Sequence, residues 1–141
     1  MCDGMRTDSP TSEIESHNLL FSFASSRRLC LWTADISNAF FQGEPLDRIV
    51  LMEPPKGGVP DMEYQEARTY ILARVPIYGT QDAGRKFWLR FHKVIKENKF
   101  RESRLARALY VFEVDNEVVG MMVTHVDDLC WCIEPQNEEY V

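Results

Sequence analysis

The sequence predicts an α+β fold, a mostly antiparallel sheet with helices packed on it. Three observations carry this. Several short runs are rich in β-branched and aromatic residues and are bounded by turn residues, which reads as strands. Two longer stretches place apolar residues at helical spacing instead. The order along the chain is α, β, β, β, α, β, β, β, with no repeats and no low-complexity tract, and that order belongs to the α+β class.

The first stretch, residues 1–8, is polar and reads as a frayed tail. Ser9-Pro10 reads as the N-cap and first residue of a helix over about 10–27. Glu13 and Glu15 lie in its early turns and Arg27-Arg28 at its far end, as the helix dipole prefers. A strand follows over about 29–36, then Ser37–Gly43, where Gly43 and Pro45 break the pattern. Arg48–Met52 is a short strand ending in a Pro- and Gly-rich loop over 54–60, and residues 61–68 are polar without a clear pattern. Tyr70–Val75 is the next strand, closed by Pro76. Gln81–Asn98 is the clearest helix, with Phe87, Trp88, Phe91, Val94 and Ile95 at helical spacing. Ala108–Val114 and Val118–Val126 form a hairpin turning at Asp115-Asn116. A second turn at Asp127-Asp128 leads into a returning strand, Leu129–Ile133, and residues 134–141 are a polar end. One domain over residues 9–133 is the expected organisation.

At 141 residues and 45% hydrophobic content the chain can bury a real core. Its net charge of −6 argues, as an average, against a nucleic-acid binder. The average hides a gradient, because Arg85–Arg107 holds nine Lys or Arg against two Glu. Such a block suits phosphate binding, or is simply a solvated helix face. The four cysteines show no disulfide spacing, and the chain has no signal peptide and no long apolar run. A reduced, intracellular setting away from membranes fits. Cys130 and Cys132 with His125 do not complete a zinc set, and read better as core thiols.

The chemistry centres on acids inside apolar strands. Asp127-Asp128 sits between Val118–Val126 and Leu129–Ile133. Two adjacent buried carboxylates are costly unless a turn lifts them into water or a cation needs them. A second apolar strand, Leu29–Ile36, carries Asp35 near its end. Two strand ends that each deliver a carboxylate could meet on one sheet and hold hard, oxygen-seeking Mg²⁺, the device used for in-line phosphoryl transfer.

Four stretches together resemble a family. They are Asp35-Ile-Ser-Asn-Ala-Phe-Phe-Gln-Gly43, Ile49-Val-Leu-Met-Glu-Pro-Pro-Lys-Gly57, Tyr78-Gly79 with Arg85 and Trp88, and Val126-Asp127-Asp128. In this order they look like the reverse transcriptase of copia-type LTR retrotransposons, over nearly the whole chain. The resemblance implies a polymerase palm with partial fingers and two-metal nucleotidyl transfer by an RNA-directed DNA polymerase. Asp35, Asp127 and Asp128 would be the catalytic acids, holding two Mg²⁺ or Mn²⁺ ions. Phe40 would be the aromatic gate beneath the sugar of the incoming deoxynucleoside triphosphate, although its plainest reading from the residues alone is core packing. Asn38 and Ala39 would approach the triphosphate through their backbone, with Gln81 beside it. Arg85 and Lys86 would lie near the RNA/DNA template–primer.

Departures from the family pattern are visible. His125 stands where the family has tyrosine, Asp82 where it has a glutamine that meets the nucleotide, and Gly84 where it has proline. An acid at 82 should repel a triphosphate unless Gln81 takes over. The upstream fingers segment, thumb and RNase H domain of the parent polyprotein are expected to lie outside this chain, which then reads as a fragment or decayed copy. Its setting would be cytoplasmic, in virus-like particles, or nuclear. Two other readings remain: a non-catalytic remnant that binds nucleic acid through the basic helix, and a fragment that folds poorly.

Overall fold

The computed structural model describes residues 7–60 and 69–140. Five antiparallel strands form the main sheet in the order β1-β7-β6-β5-β4. They are β1 (Trp32–Asp35), β4 (Phe100–Glu102), β5 (Leu109–Val114), β6 (Glu117–His125) and β7 (Asp128–Ile133). Two further strands, β2 (Val50–Met52) and β3 (Ile71–Ala73), pair separately. Two helices, α1 (Ile14–Arg27) and α2 (Ala83–Glu97), lie against opposite faces of the main sheet. The α+β class expected from the sequence is the class observed.

Strand alternation explains the two faces. On the α2 face, Phe87 and Phe91 meet Tyr110, Phe112, Met122 and Ile133 in one apolar cluster. On the α1 face, Leu20 and Ala24 meet Leu109, Val111, Met121, Val123 and Cys132. The helices differ in how much they bury. Helix α2 presents a clean aromatic stripe. In α1 the apolar residues are spread around the axis, so Ile14, Leu19 and Phe21 stay exposed while Leu20 is fully covered. Burial of one such leucine contributes about 1.5–3 kcal/mol.

The β5–β6 hairpin turns at Asp115 and Asn116, both at positive φ (52° and 67°), as the sequence predicts. Such two-residue turns match the twist of the strands they join. Gly120 fits because an added Cβ would lie 3.0 Å from Ile133 and 3.3 Å from Phe112.

Several boundaries differ from expectation. Helix α1 starts at Ile14 with Glu13 as its cap, not at Ser9-Pro10. The preceding residues run extended instead: Thr11 bridges to His125, and the Ser12 N–H donates to the Thr124 carbonyl at 3.0 Å. Long-range backbone pairing overrides the local capping signal. Helix α2 starts at Ala83, two residues late. The strands around β1, β2 and β3 are shorter than their apolar runs. The three-residue β4 and a 3-10 turn over Ala39–Gln42 were not anticipated. Residues 134–140 are not a plain tail, since Pro135–Tyr140 forms another 3-10 turn. Of the expected frayed tail, residues 1–6 lie outside the described residues, as does the unpatterned stretch 61–68. No described helix is long and apolar enough to cross a membrane.

Candidate active site

Asp35 closes β1 and Asp128 opens β7, and the two face each other as register partners. His125, the last residue of β6, is opposite Asp128 on its other side. Residues directly opposite in an antiparallel pair share a face. Asp35, Asp128 and His125 therefore form a row across three neighbouring strands, on the face that carries α1. All three are exposed. They line a cavity of about 480 Å³ together with His17, Thr33 and Cys130.

The second hairpin turn comes one residue earlier than expected. Its two central residues are Val126 and Asp127, so Asp128 belongs to the strand and Asp127 to the turn. Val126 sits in the left-handed region at φ 58°, a position a β-branched residue rarely takes. Asp127 is half-buried, and its carbonyl accepts the Ile36 N–H at 2.9 Å. The turn is thereby stitched to the residue that follows Asp35. The structure thus brings Asp35 and Asp128 together across a strand pair and leaves Asp127 in the adjoining turn, outside their cavity.

Like charges directly opposite on a strand pair are unfavourable. No ion pair among the described residues relieves them: the cations that pair do so with Glu134, Asp82, Asp8, Asp47 and Glu113. The donors are hard carboxylate oxygens, the kind Mg²⁺ takes. Among the described residues no three His, Cys, Asp or Glu side chains are gathered into a metal-holding group. The donor chemistry therefore fits a divalent cation, and further oxygen ligands would have to come from substrate phosphates or water.

The remaining predicted residues lie on the α2 side of the same sheet end, and none of them lines the carboxylate cavity. Asn38 adopts the left-handed conformation (φ 55°) and starts the 3-10 turn, exposed to solvent. The Ala39 side chain is buried in the α2 core. Phe40 is half-buried, with its ring 4.8 Å from Tyr78 and 6.4 Å from Phe87. Gly43 lets this turn press on α2, since a Cβ there would meet the Phe87 nitrogen at 3.0 Å. The Glu44 N–H donates to the Lys86 carbonyl at 3.0 Å just beyond it. Gln81 is exposed. Arg85 pairs with Asp8 at 3.6 Å and lies 4.4 Å above the Trp88 ring. Lys86 pairs with Asp47 at 3.2 Å.

Asp82 behaves differently from the sequence expectation. Its side chain is buried, not turned toward a nucleotide. Arg48 grips both carboxylate oxygens, with Nη2 to Oδ1 at 2.8 Å and Nε to Oδ2 at 3.3 Å. The guanidinium holds the Asp82 carboxyl below its usual range, against the opposing effect of burial. Its charge is already answered inside the protein, so the repulsion expected of this acid falls away. Arg48 was not singled out in the sequence, and nothing in one chain's spacing links positions 48 and 82. Gly84, the other departure, leaves room for the N-terminal segment: a Cβ there would come within 3.2 Å of the Ser9 Cβ. Burial raises the Cys130 thiol and pushes Cys132 up to about 11. Both are protonated at neutral pH, as core thiols are.

An antiparallel sheet with helices packed on it and acids at neighbouring strand ends is consistent with a palm-like polymerase fragment. The chain belongs to the reverse transcriptase (RNA-dependent DNA polymerase) family, whose profile matches residues 2–137. It is 27% identical over 128 residues to the retrovirus-related Pol polyprotein from transposon RE2 of Arabidopsis thaliana, which covers 90% of this chain. The chain spans about 8% of that polyprotein's length. No solved structure matches it. Family membership places the chain in a reverse-transcriptase lineage, as a part of a longer polyprotein.

Proposed function

We propose that this chain is the catalytic palm of a retrotransposon RNA-directed DNA polymerase, carried by residues 9–133. One observation carries the reading: the carboxylate-bearing residues Asp35 and Asp128 stand directly opposite each other on neighbouring strands, both exposed. Like charges so placed repel each other, and a divalent cation between them would relieve that repulsion. Asp35 and Asp128, with Asp127 from the adjoining turn, would hold two Mg²⁺ or Mn²⁺ ions. Such ions neutralise charge on the attacking and leaving oxygens of an in-line displacement.

The chain's own residues orient the substrates. Phe40, backed by Tyr78 and Phe87, offers a flat ring beneath the sugar of a deoxynucleoside triphosphate and excludes a 2′-hydroxyl by shape. The backbone at Asn38 and Ala39, and the Gln81 amide, would meet the triphosphate. Arg85 and Lys86 would steer the template–primer, after exchanging their carboxylate partners for phosphates.

Primer extension on poly(rA)/oligo(dT) with Mg²⁺ or Mn²⁺ tests this. Wild type should extend, and Asp35→Asn and Asp128→Asn should each fall by at least about 100-fold, the scale of lost transition-state charge stabilisation. Equal signal from wild type and both variants would end the catalytic reading and leave the nucleic-acid-binding remnant.

A further inference from the structure

We propose that His92 is an acid-sensitive clasp: while neutral it holds α2 against the sheet, and once protonated it loosens that helix together with the turn that carries Phe40.

The geometry wedges one imidazole between a helix neighbour and the sheet. His92 is half-buried on α2, one turn after Trp88, and the two rings stack with centroids 4.8 Å apart and 22° between their planes. On the sheet side His92 meets Tyr110 of β5, ring to ring at 6.0 Å and with Nδ1 3.5 Å from the phenol oxygen. Tyr110 is fully buried, so its hydroxyl depends on a protein partner. Burial raises the Tyr110 phenol above its ordinary range, so it keeps its proton. A neutral His92 with its Nδ1 lone pair free accepts that O–H. An imidazolium carries hydrogens on both nitrogens and accepts nothing, so protonation sets two donors against each other. Tyr110 must then turn its hydrogen elsewhere, or the two side chains must part.

The surroundings decide the sign. Among the described residues, the charged and titratable groups around the ring are Glu102 from β4, Tyr110 from β5, and Lys96 and Arg85 from its own helix. Burial acts most strongly and disfavours the charged ring; Glu102 favours it, and Lys96 and Arg85 oppose it. Together they hold the imidazole below its ordinary 6.5 in the folded chain. As pH falls, the unfolded chain therefore takes up this proton first. The stability that the neutral ring contributes is complete above 6.5, and is lost as pH falls from there through the lower folded value.

Helix α2 also carries the Phe40 turn. Gly43 presses on the helix, where an added Cβ would lie 3.0 Å from the Phe87 nitrogen, and the Glu44 N–H donates to the Lys86 carbonyl at 3.0 Å. The Phe40 ring lies 6.4 Å from that of Phe87. A helix that lifts from the sheet takes this turn with it.

Denaturant melts of the full chain at pH 7.5 and 5.5 test the clasp, with wild type against His92→Gln, whose amide oxygen can accept the Tyr110 O–H but does not titrate. Over that interval wild type should lose about three- to tenfold more of its folding equilibrium constant than His92→Gln does, the range one proton allows. Histidine ring NMR signals of wild type, followed with pH, should show His92 taking its proton below pH 6.5. Amide exchange should show protection of the Glu44 N–H falling in step at pH 5.5. Equal losses in the two proteins, or a His92 ring that titrates at 6.5 or above, would overturn the clasp. The ring titration needs only wild type, and so decides the matter if the variant does not fold. Lost stability with Glu44 protection unchanged would overturn the hold on the Phe40 turn.

Discussion

Asp82 shows how one substitution is absorbed by another residue far along the chain. A buried carboxylate without a partner is strongly unfavourable, and Arg48 supplies a bidentate fork, the strongest common form of such a pair. Removing one partner leaves the other stranded. Arg48→Gln should lower stability by about 2 kcal/mol in denaturant melts, short of the 3–5 of a fully buried pair because Arg48 is one-third exposed. The pH dependence has a definite sign. Because the folded-state carboxyl is held below its ordinary value of 3.8, its stabilisation is complete above that pH and fades as pH drops through the lower folded value. Melting curves from pH 6 to about 2.5 should show this acid-side loss in wild type. Asp82→Asn should be less stable at pH 6 and should show less of it. An acid limb identical in the two proteins would remove the pair from the stability of the fold.

Long elements were legible in the sequence and short ones were not. The α2 stripe spans four turns and the β5–β6 hairpin carries its own turn residues, so periodicity and local chemistry agree. Strand β4 has three residues, too few to show a period, and lies inside a basic stretch that reads as helix or loop. Ser9-Pro10 is a sound local capping signal, but the Ser12–Thr124 hydrogen bond draws that segment into the sheet. That Asp35, Asp127 and Asp128 needed a reason was legible, because acids inside apolar strands are costly. Which of the last two faces Asp35 was not, since a one-residue shift of the turn swaps faces and no pattern fixes the turn. Val126 is the reason the shift was hard to see, since a β-branched residue at φ 58° is the last choice for that place. This strain makes a comparison possible. Val126→Gly relieves the backbone while giving up partial packing, so it should lie within about 1 kcal/mol of wild type. Val123→Gly, at a buried and extended position, loses both packing and strand preference and should cost at least about 2–3 kcal/mol. Equal losses at the two positions would mean the turn carries no strain.

At the scale of the whole molecule, the described surface holds more apolar area than its sheets can hide. Strand β1 is an edge with all four residues exposed, and Leu31 and Trp32 are each about half uncovered (46% and 50%). The separate β2–β3 ribbon turns Leu51 and Leu72, direct cross-strand partners, to solvent together with Ile49 and Tyr70. Contiguous exposed apolar surface and open strand edges favour self-association. The net charge of −6 opposes it only weakly at physiological salt, where repulsion is screened within about 8 Å. Short-range contact between ribbons and edges should therefore win as concentration rises. Sedimentation velocity should show oligomers of the isolated chain growing between about 1 and 100 μM, and more of them at higher salt. Leu51→Glu/Leu72→Lys replaces the apolar pair with an opposite-charge pair that suits the same register. It should shift the protein toward monomer with an unchanged circular dichroism spectrum. If wild type stays monomeric throughout, or the charged pair associates equally, the ribbon face is not what drives contact. The open β1 edge would then be the next surface to block, by Trp32→Lys.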